Sequence, residues 1–447
     1  MKTPTTTERV VITGTGIVCP LGNDVKTFWE GITSGRSGID FTTVFDASTF
    51  PTTFDAEVKD YDFRQCIRQP QLHEKCSRSS GFALGAAAQA CKQAGLDVET
   101  AHPNDGIDRT RMGIYLGAGE GSFDNDAFFG SLVAGWDAQQ QQLNWPRSIR
   151  FAMEHMKPAK ELEQEPNMAA AHISLLTGAR GPVRSCLTAC AASTQAVGEA
   201  MMLIRRGDAD VMIAGGAHSM IHPLGITGFN LLTALSRRND SPQTASRPFS
   251  GSRDGFVIGE GAAILILESL TSARRRGARI LAEVVGYGSS SDAFRVTDMH
   301  EEGRGAIQAM RAAIADAGLT TQDIDYVNTH GTSTQENDSI ETLAIKAVFG
   351  DRAKQVPASS IKSMLGHLIG AAGAAELIAA VLAIRDDVVP PTMNLHDPDP
   401  KLDLDYVPDV PRKMPVRVVM KESFGFGGQN NVVILKQYSE EGSKRVS

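Results

Sequence analysis

At 447 residues, 42% of them hydrophobic, the chain has material for one very large core or two ordinary ones. A formal net charge of -8 argues against general nucleic-acid binding, and no apolar run approaches the roughly 20 residues of a membrane-spanning helix. A polar N-terminus from Met1 to Arg9 and six cysteines without zinc-type pairing lead us to expect a cytoplasmic protein with reduced thiols and no metal site.

The segment Arg9 to Val18 reads as a buried strand running into a glycine turn. Its glycines lack the GxGxxG spacing and no Walker lysine follows, which argues against nucleotide binding. A segment carrying Lys75 and Arg78 leads into an Ala-rich helix, Phe82 to Ala94. Arg111 to Leu116 is a second strand, ending in Gly117-Ala-Gly-Glu-Gly121. Residues 123–167 are the least regular stretch, with a Gln run and Trp145-Pro146, and suit either a lid or a partner-facing insertion.

A turn of small residues, Ser185 to Ser193, then opens an apolar helix that runs from Thr194 to Arg206 and stops at Gly207. Cys190 thereby stands at a helix N-terminus, where unpaired N–H groups and the helix dipole favour a thiolate. A lone Cys among alanines is more often buried filler, so the assignment needs support from elsewhere in the chain. After the strand Asp210 to Ala214, His218 and His222 have no third ligand beside them and read as structural.

Beyond a charged junction at Ser269 to Gly277 the pattern restarts. Ser360 to His367 falls on Val183 to Cys190 at an offset of 177 residues, with Glu376 falling on Glu199. Ser423 to Gly427 falls on Gly255 to Gly259, each ahead of an apolar strand. Two α/β halves, 1–275 and 276–447, should therefore pack about a pseudo-twofold axis and bring Cys190 and His367 together. His330, at the end of a strand and ahead of Gly331-Thr-Ser-Thr334, is a second candidate partner for the thiol.

Taken together, Thr-Ala-Cys190-Ala-Ala-Ser, Asn-Thr-His330-Gly-Thr-Ser-Thr, Ile-Lys362-Ser-Met-Leu-Gly-His367 and Ser423-Phe-Gly-Phe-Gly-Gly428 resemble the type II (elongating) β-ketoacyl-[acyl carrier protein] synthases. The resemblance implies the thiolase fold, a five-layered αβαβα sandwich, as a homodimer or ketosynthase heterodimer. It also implies decarboxylative Claisen condensation without a bound cofactor, the phosphopantetheine arriving on an acyl carrier protein. On that basis Cys190 accepts the acyl group, and His330 and His367 assist loss of CO2 and stabilise the enolate. Lys362, paired with Glu376, organises the charge. The N–H groups of Cys190 and Phe426 form the oxyanion hole, Phe424 and Phe426 gate it, and Thr332 and Thr334 hold the pantetheine arm. Lys75, Arg78, Arg237 and Arg238 are expected to dock the carrier protein.

The chain also departs from that pattern. Glu120 stands where an apolar residue usually lines the acyl tunnel, Lys157 to Pro166 replaces an apolar segment, Gln429 replaces Thr, and Thr233 replaces a carrier-binding Arg. These changes point towards a specialised polyene or polyketide chain as an alternative to saturated fatty acids. A thiolase would need a second catalytic Cys after Cys190, and there is none. A non-catalytic subunit of the chain-length-factor kind would not need Cys190, His330 and His367.

Overall fold

The computed structural model describes residues 8–98, 100, 104–119 and 124–440. The first half builds a sheet from β1 (Val10–Val18), β2 (Met112–Gly117), β3 (Val183–Cys186), β4 (Val211–His218) and β5 (Gly261–Ser269), in the spatial order β3-β2-β4-β5-β1. The second half uses β6 (Ala282–Ser291), β7 (Tyr326–Asn328), β8 (Ala358–Ser359), β9 (Val418–Gly425) and β10 (Gln429–Lys436), in the order β8-β7-β9-β10-β6. In each half the second strand runs parallel to both neighbours and the remaining pairs are antiparallel. The same order and the same directions on both sides are the product of an internal repeat. Antiparallel pairing of Val10 to Ile12 with Ala282 to Val284 joins the sheets at one edge.

Helices complete five layers. Of α1 (Arg78–Ala94), α2 (Asn125–Gly135), α3 (Trp145–His155) and α4 (Met168–Thr177) in the first half, α1 and α4 cover the outer face of the first sheet. Between the sheets lie α5 (Ala192–Arg205) and its counterpart from the second half, whose other helices, α6 (Arg304–Asp316) and α7 (Gln335–Phe349), cover the second sheet. That counterpart, α8 (Ala372–Asp386), is buried from Ala372 to Ile384. A helix that is buried all round has to lie between two packed surfaces, and α8 is the spine of the central core.

Three sequence expectations are corrected. The Arg9 to Val18 segment does not turn at its glycines: β1 runs through Gly14 and Gly16 with a bulge after Ile12. A Cβ on Gly14 would stand 2.1 Å from the Ala90 carbonyl oxygen of α1, and one on Gly16 2.0 Å from that of Ala86. The second half repeats the arrangement, with Gly286 and Gly288 of β6 against Ala313 and Ala309 of α6. These glycines let a helix lie directly on a strand backbone. The repeat register also differs, since α5 and α8 begin 180 residues apart. His367 thus lies three residues ahead of the position equivalent to Cys190, in the approach to α8 and outside its first turn. Finally, Ser423 to Gly425 belongs to strand β9, whereas Gly255 to Gly259 lies in the loop before β5, so only the strands that follow are true counterparts.

The irregular stretch proves to be helical. Helices α2 and α3 pack on one another across a hairpin, Trp136–Asp137 with Gln142–Leu143, and the Gln run is its turn. This unit exposes Val133, Trp136, Trp145, Ile149 and Met153. No helix among the described residues is long and apolar enough to cross a membrane.

Because the strand–helix contact leaves no room for a methyl group, Gly286→Ala, 2.3 Å from the Ala313 carbonyl oxygen, is expected to cost about 1–3 kcal/mol. Denaturant unfolding measures this, and wild-type stability in the variant would overturn the packing argument.

Candidate active site

Cys190 occupies a single turn, Ala189–Ala191, between β3 and α5. Ala189 has φ +47°, in the left-handed region, and Ile369 ahead of α8 has φ +45°. Both halves therefore enter their central helix through the same strained turn, a conformation that surrounding packing has to hold in place. The Cys190 side chain is buried, with the backbone N–H groups of Phe426 and of Cys190 itself directed at the sulfur. Burial pushes the thiol up to about 11, opposed by the Lys362 ammonium and those two N–H groups. Desolvation outweighs the helix-terminus effect expected from sequence, and the resting group is a thiol.

The two histidines converge on it. Ligand atoms of Cys190, His330 and His367 all lie within 4.8 Å of one another, and the two imidazole rings meet edge to face at 5.4 Å. The His367 Nδ1 accepts from the Ile369 N–H at 3.2 Å, which leaves the proton on Nε2, a buried donor with no protein partner. Lys362 Nζ approaches His330 Nδ1 at 3.3 Å and donates to the His330 carbonyl at 2.6 Å. An ammonium on Nδ1 selects the Nε2–H tautomer there as well. Burial first, then the Lys362 charge, hold both histidines well below the ordinary imidazole range, so both are neutral. The same trio has the spacing of a three-ligand metal site, but the adjacent Lys362 ammonium is a poor neighbour for a cation.

Lys362 also pairs with Glu376 of α8, and both side chains are 2% exposed. Behind them lies a group that the sequence reading missed. Glu341 of α7 accepts from the N–H groups of His330 and Gly331 at 2.5 and 2.8 Å, fixing the turn that carries His330. Lys421 of β9, wholly buried, forms an ion pair with Glu376 at 2.7 Å. Glu422 is wholly buried next to it, and burial together with the facing Glu341 carboxylate keeps it protonated. The signal was present in the sequence: Val418-Val-Met-Lys-Glu-Ser423 places two titratable groups inside an apolar strand, where a charge survives only if paired and is otherwise neutralised.

Cys190, His330 and His367 line a cavity of about 370 Å³ together with Thr332, Thr334, Phe424 and Phe426. The Thr332 and Thr334 hydroxyls lie 3.0 Å apart. Phe424 is buried and Phe426 is 38% exposed, followed by Gly427 and Gly428 at φ +89° and +70°. Thr233 and Ala234 reach the same cavity, and Arg237 and Arg238 follow them in the chain.

Lys75 and Arg78 do not line it. The Arg78 guanidinium pairs with the buried Glu260 carboxylate, with Nε donating at 2.8 Å, while its side chain stays 43% exposed. Lys75 is exposed beside Glu74. Glu120 lies outside the described residues. Its neighbours Ala118 and Gly119 border a small recess shared with Ser80, Glu163 and His218. His222 caps a helix by accepting from the Gly225 N–H, and His218 accepts from the Gly370 N–H, structural roles in both cases.

Residues 7–273 match the model of the β-ketoacyl synthase N-terminal domain and residues 281–396 that of its C-terminal domain. A 3-oxoacyl-[acyl-carrier-protein] synthase 2 from Coxiella burnetii is 41% identical over 96% of this chain and 99% of its own. One of the same name from Synechocystis is 42% identical over 96% and 98%. Among solved structures, a β-ketoacyl synthase from Burkholderia phymatum superposes with a TM-score of 0.85 at 32% identity, covering 97% of this chain and all of that one. A ketosynthase solved with its type II polyketide acyl carrier protein and a hexaketide gives 0.84 at 34% identity, with the same coverage. The five-layered arrangement is the thiolase fold, and the chain belongs to the β-ketoacyl synthase family.

Proposed function

We propose that this protein is an acyltransferase, a ketosynthase that condenses an acyl group with malonyl-acyl carrier protein to give a β-ketoacyl-acyl carrier protein. The observation that carries the reading is the convergence of the Cys190 thiol with two neutral imidazoles within 4.8 Å. In the first half-reaction the Cys190 sulfur attacks the thioester carbonyl of an acyl carrier protein. A carbon–sulfur bond forms to Cys190, the carrier's carbon–sulfur bond breaks, and the thiol proton leaves with the pantetheine thiol. Malonyl carrier protein then loses CO2, and the electron pair moves onto the thioester as an enolate. The Nε2–H groups of His330 and His367 donate to its oxygen. The enolate carbon attacks the acyl-Cys190 carbonyl, whose oxyanion is met by the N–H groups of Cys190 and Phe426, and the Cys190 thiolate departs. Retention of this complete set favours an enzyme over a non-catalytic chain-length-factor-like subunit.

The pantetheine arm is the carrier's own, and the protein needs no cofactor in this reading. Thr332 and Thr334 hydrogen-bond the arm, Phe424 and Phe426 act as the gate, and exposed Arg237 with Arg238 attracts the acidic carrier at the rim. The small recess at Ala118 and Gly119 has Glu163 and His218 in its wall. Glu120, standing where an apolar residue usually lines the acyl tunnel, supports a specialised chain bearing unsaturation or oxygen, in keeping with the polyketide ketosynthases of similar fold. A second subunit of this fold, identical or related, covers the half-exposed edge strand β3 and the apolar surface of α2 and α3. We place the enzyme in the cytoplasm.

Cys190→Ala should abolish acyl-enzyme formation, read by intact-protein mass spectrometry after incubation with acyl carrier proteins, while Cys186→Ala still acylates. Persistent acylation of Cys190→Ala would sink the assignment.

His330→Ala and His367→Ala should fold and lose condensation by about 100- to 1,000-fold. Both imidazoles must be neutral, and burial lowers their pKa, so activity is present above the folded pKa and fails only as pH falls through it, below 6.5. An acid limb of kcat at or above 6.5 that belongs to these histidines would contradict the neutral-donor role.

Reversing both charges, Arg237→Glu with Arg238→Glu, should raise KM for carrier protein more than it lowers kcat. An unmoved KM places docking elsewhere. Light scattering should give about twice the 47.8 kDa chain mass, and a monomer at micromolar concentration would refute self-association. Glu120→Ile should shift relative kcat/KM towards longer saturated acyl groups, and an unchanged profile removes Glu120 from chain selection.

A further inference from the structure

Lys421 is linked directly to α8 and, through Ser423, to α5. Its ammonium lies 2.7 Å from the Glu376 Oε2 on α8, an ion pair. It also donates to the Glu422 carbonyl and, at 3.0 Å, to the Ser423 hydroxyl. Ser423 in turn shares a 2.8 Å hydrogen bond with Thr194 on α5, four residues after Cys190. Glu376 passes its other oxygen to Lys362, which holds His330.

The facing charges balance. Lys362 and Lys421 oppose Glu376 and Glu341, burial and the facing Glu341 hold Glu422 towards its neutral acid, and His330 and His367 are neutral. All seven are at most 2% exposed. Without Lys421 the group carries a net negative charge at a depth where an uncompensated ion is strongly disfavoured. Glu376 would then hold Lys362 against two competing demands, and the ammonium that sets the His330 tautomer would be drawn towards it.

We propose that Lys421 is a positioning residue for the condensation: by neutralising the second oxygen of Glu376 it keeps the Lys362 ammonium on His330 Nδ1, and by donating to Ser423 it supports the hydrogen bond from strand β9 to Thr194 on the helix that follows Cys190. This rests on the ketosynthase reading given above. It implies that Lys421 acts through Glu376, Lys362 and Ser423 and touches no substrate.

Its charge also bears on the imidazoles, since Lys421 is one of the cations that depress both histidines. Removing it raises their pKa, and activity that depends on neutral histidines is then lost at higher pH as the medium is acidified.

The test is Lys421→Met, which keeps the stem and removes the charge, with Lys421→Gln as a second variant that retains a polar head. In malonyl-carrier decarboxylation and in condensation, kcat should fall about 10- to 100-fold, as for misplacement of a catalytic group, with the KM for carrier protein unchanged. The acid limb of kcat should move to higher pH. Lys421→Ala should regain activity with methylammonium and gain nothing from tetramethylammonium at the same concentration, which is too large for the space. A role limited to stability would lower the melting temperature and leave the acid limb in place. Iodoacetamide alkylation of Cys190 at fixed pH reads the charge group without any substrate, and should slow in Lys421→Met because Glu376 is less neutralised. Wild-type protein inactive on malonyl carrier protein would refute the ketosynthase reading, with the alkylation result still deciding the charge balance. Folded Met or Gln variants with the wild-type acid limb and the wild-type alkylation rate would overturn the proposal.

Discussion

The contact on which the rest of the molecule depends is the crossing of α5 and α8. At the crossing a Cβ on Gly373 would stand 2.0 Å from the Thr194 hydroxyl, and the Ala374 N–H donates to the Ser193 hydroxyl at 3.0 Å. Two helices approach this closely only where the side chains are small. Since each helix is also packed against both sheets, the crossing fixes the distance between layers and the separation of the turns that enter the helices. Cys190 lies on one of those turns and His367 just ahead of the other. Their proximity follows from the way the core packs, and no loop has to close to create it.

A second constraint is electrostatic. His330, His367 and Cys190 are buried enough to be uncharged, yet the reaction passes through an enolate and a thiolate. The molecule meets this with cations fixed beforehand beside neutral groups: Lys362 polarises His330 from behind while the N–H groups of Cys190 and Phe426 face the sulfur. The dipoles are already oriented when charge develops, so little reorganisation accompanies it. Glu341 serves the same end from the opposite side by tying down two consecutive N–H groups at His330.

Much of this was legible in the sequence, for reasons that can be located. Apolar strands and helices with clear stops gave the layers, and the similarity of the two halves gave the pseudo-twofold arrangement. The motifs around Cys190, His330, Lys362 and His367 are local, so the cavity could be assembled from them. What escaped were properties of close approach and depth. Gly14 and Gly16 resemble a turn because the residues of the helix they must touch, Ala90 and Ala86, lie far along the sequence. Arg78 looked like surface charge because Glu260, its buried partner, is 182 positions away. Lys421 and Glu422 went unread, although charge inside an apolar run, Val418 to Met420, was itself the clue. The ungapped offset of 177 missed the true register because the approaches to α5 and α8 differ in length.

The burial of Cys190 has a consequence for the chemical durability of the protein. Peroxide and soft electrophiles react with thiolate, and a thiol held at about 11 offers very little of it at neutral pH. A resting ketosynthase built in this way offers peroxide little of the thiolate that begins the path to sulfenic and then sulfinic acid. Its reactivity belongs to the bound state, in which a thioester carbonyl lies against the sulfur and the surrounding N–H groups act on the developing charge. The depth that makes the site slow to ionise also limits its chemistry to molecules able to reach the bottom of the cavity.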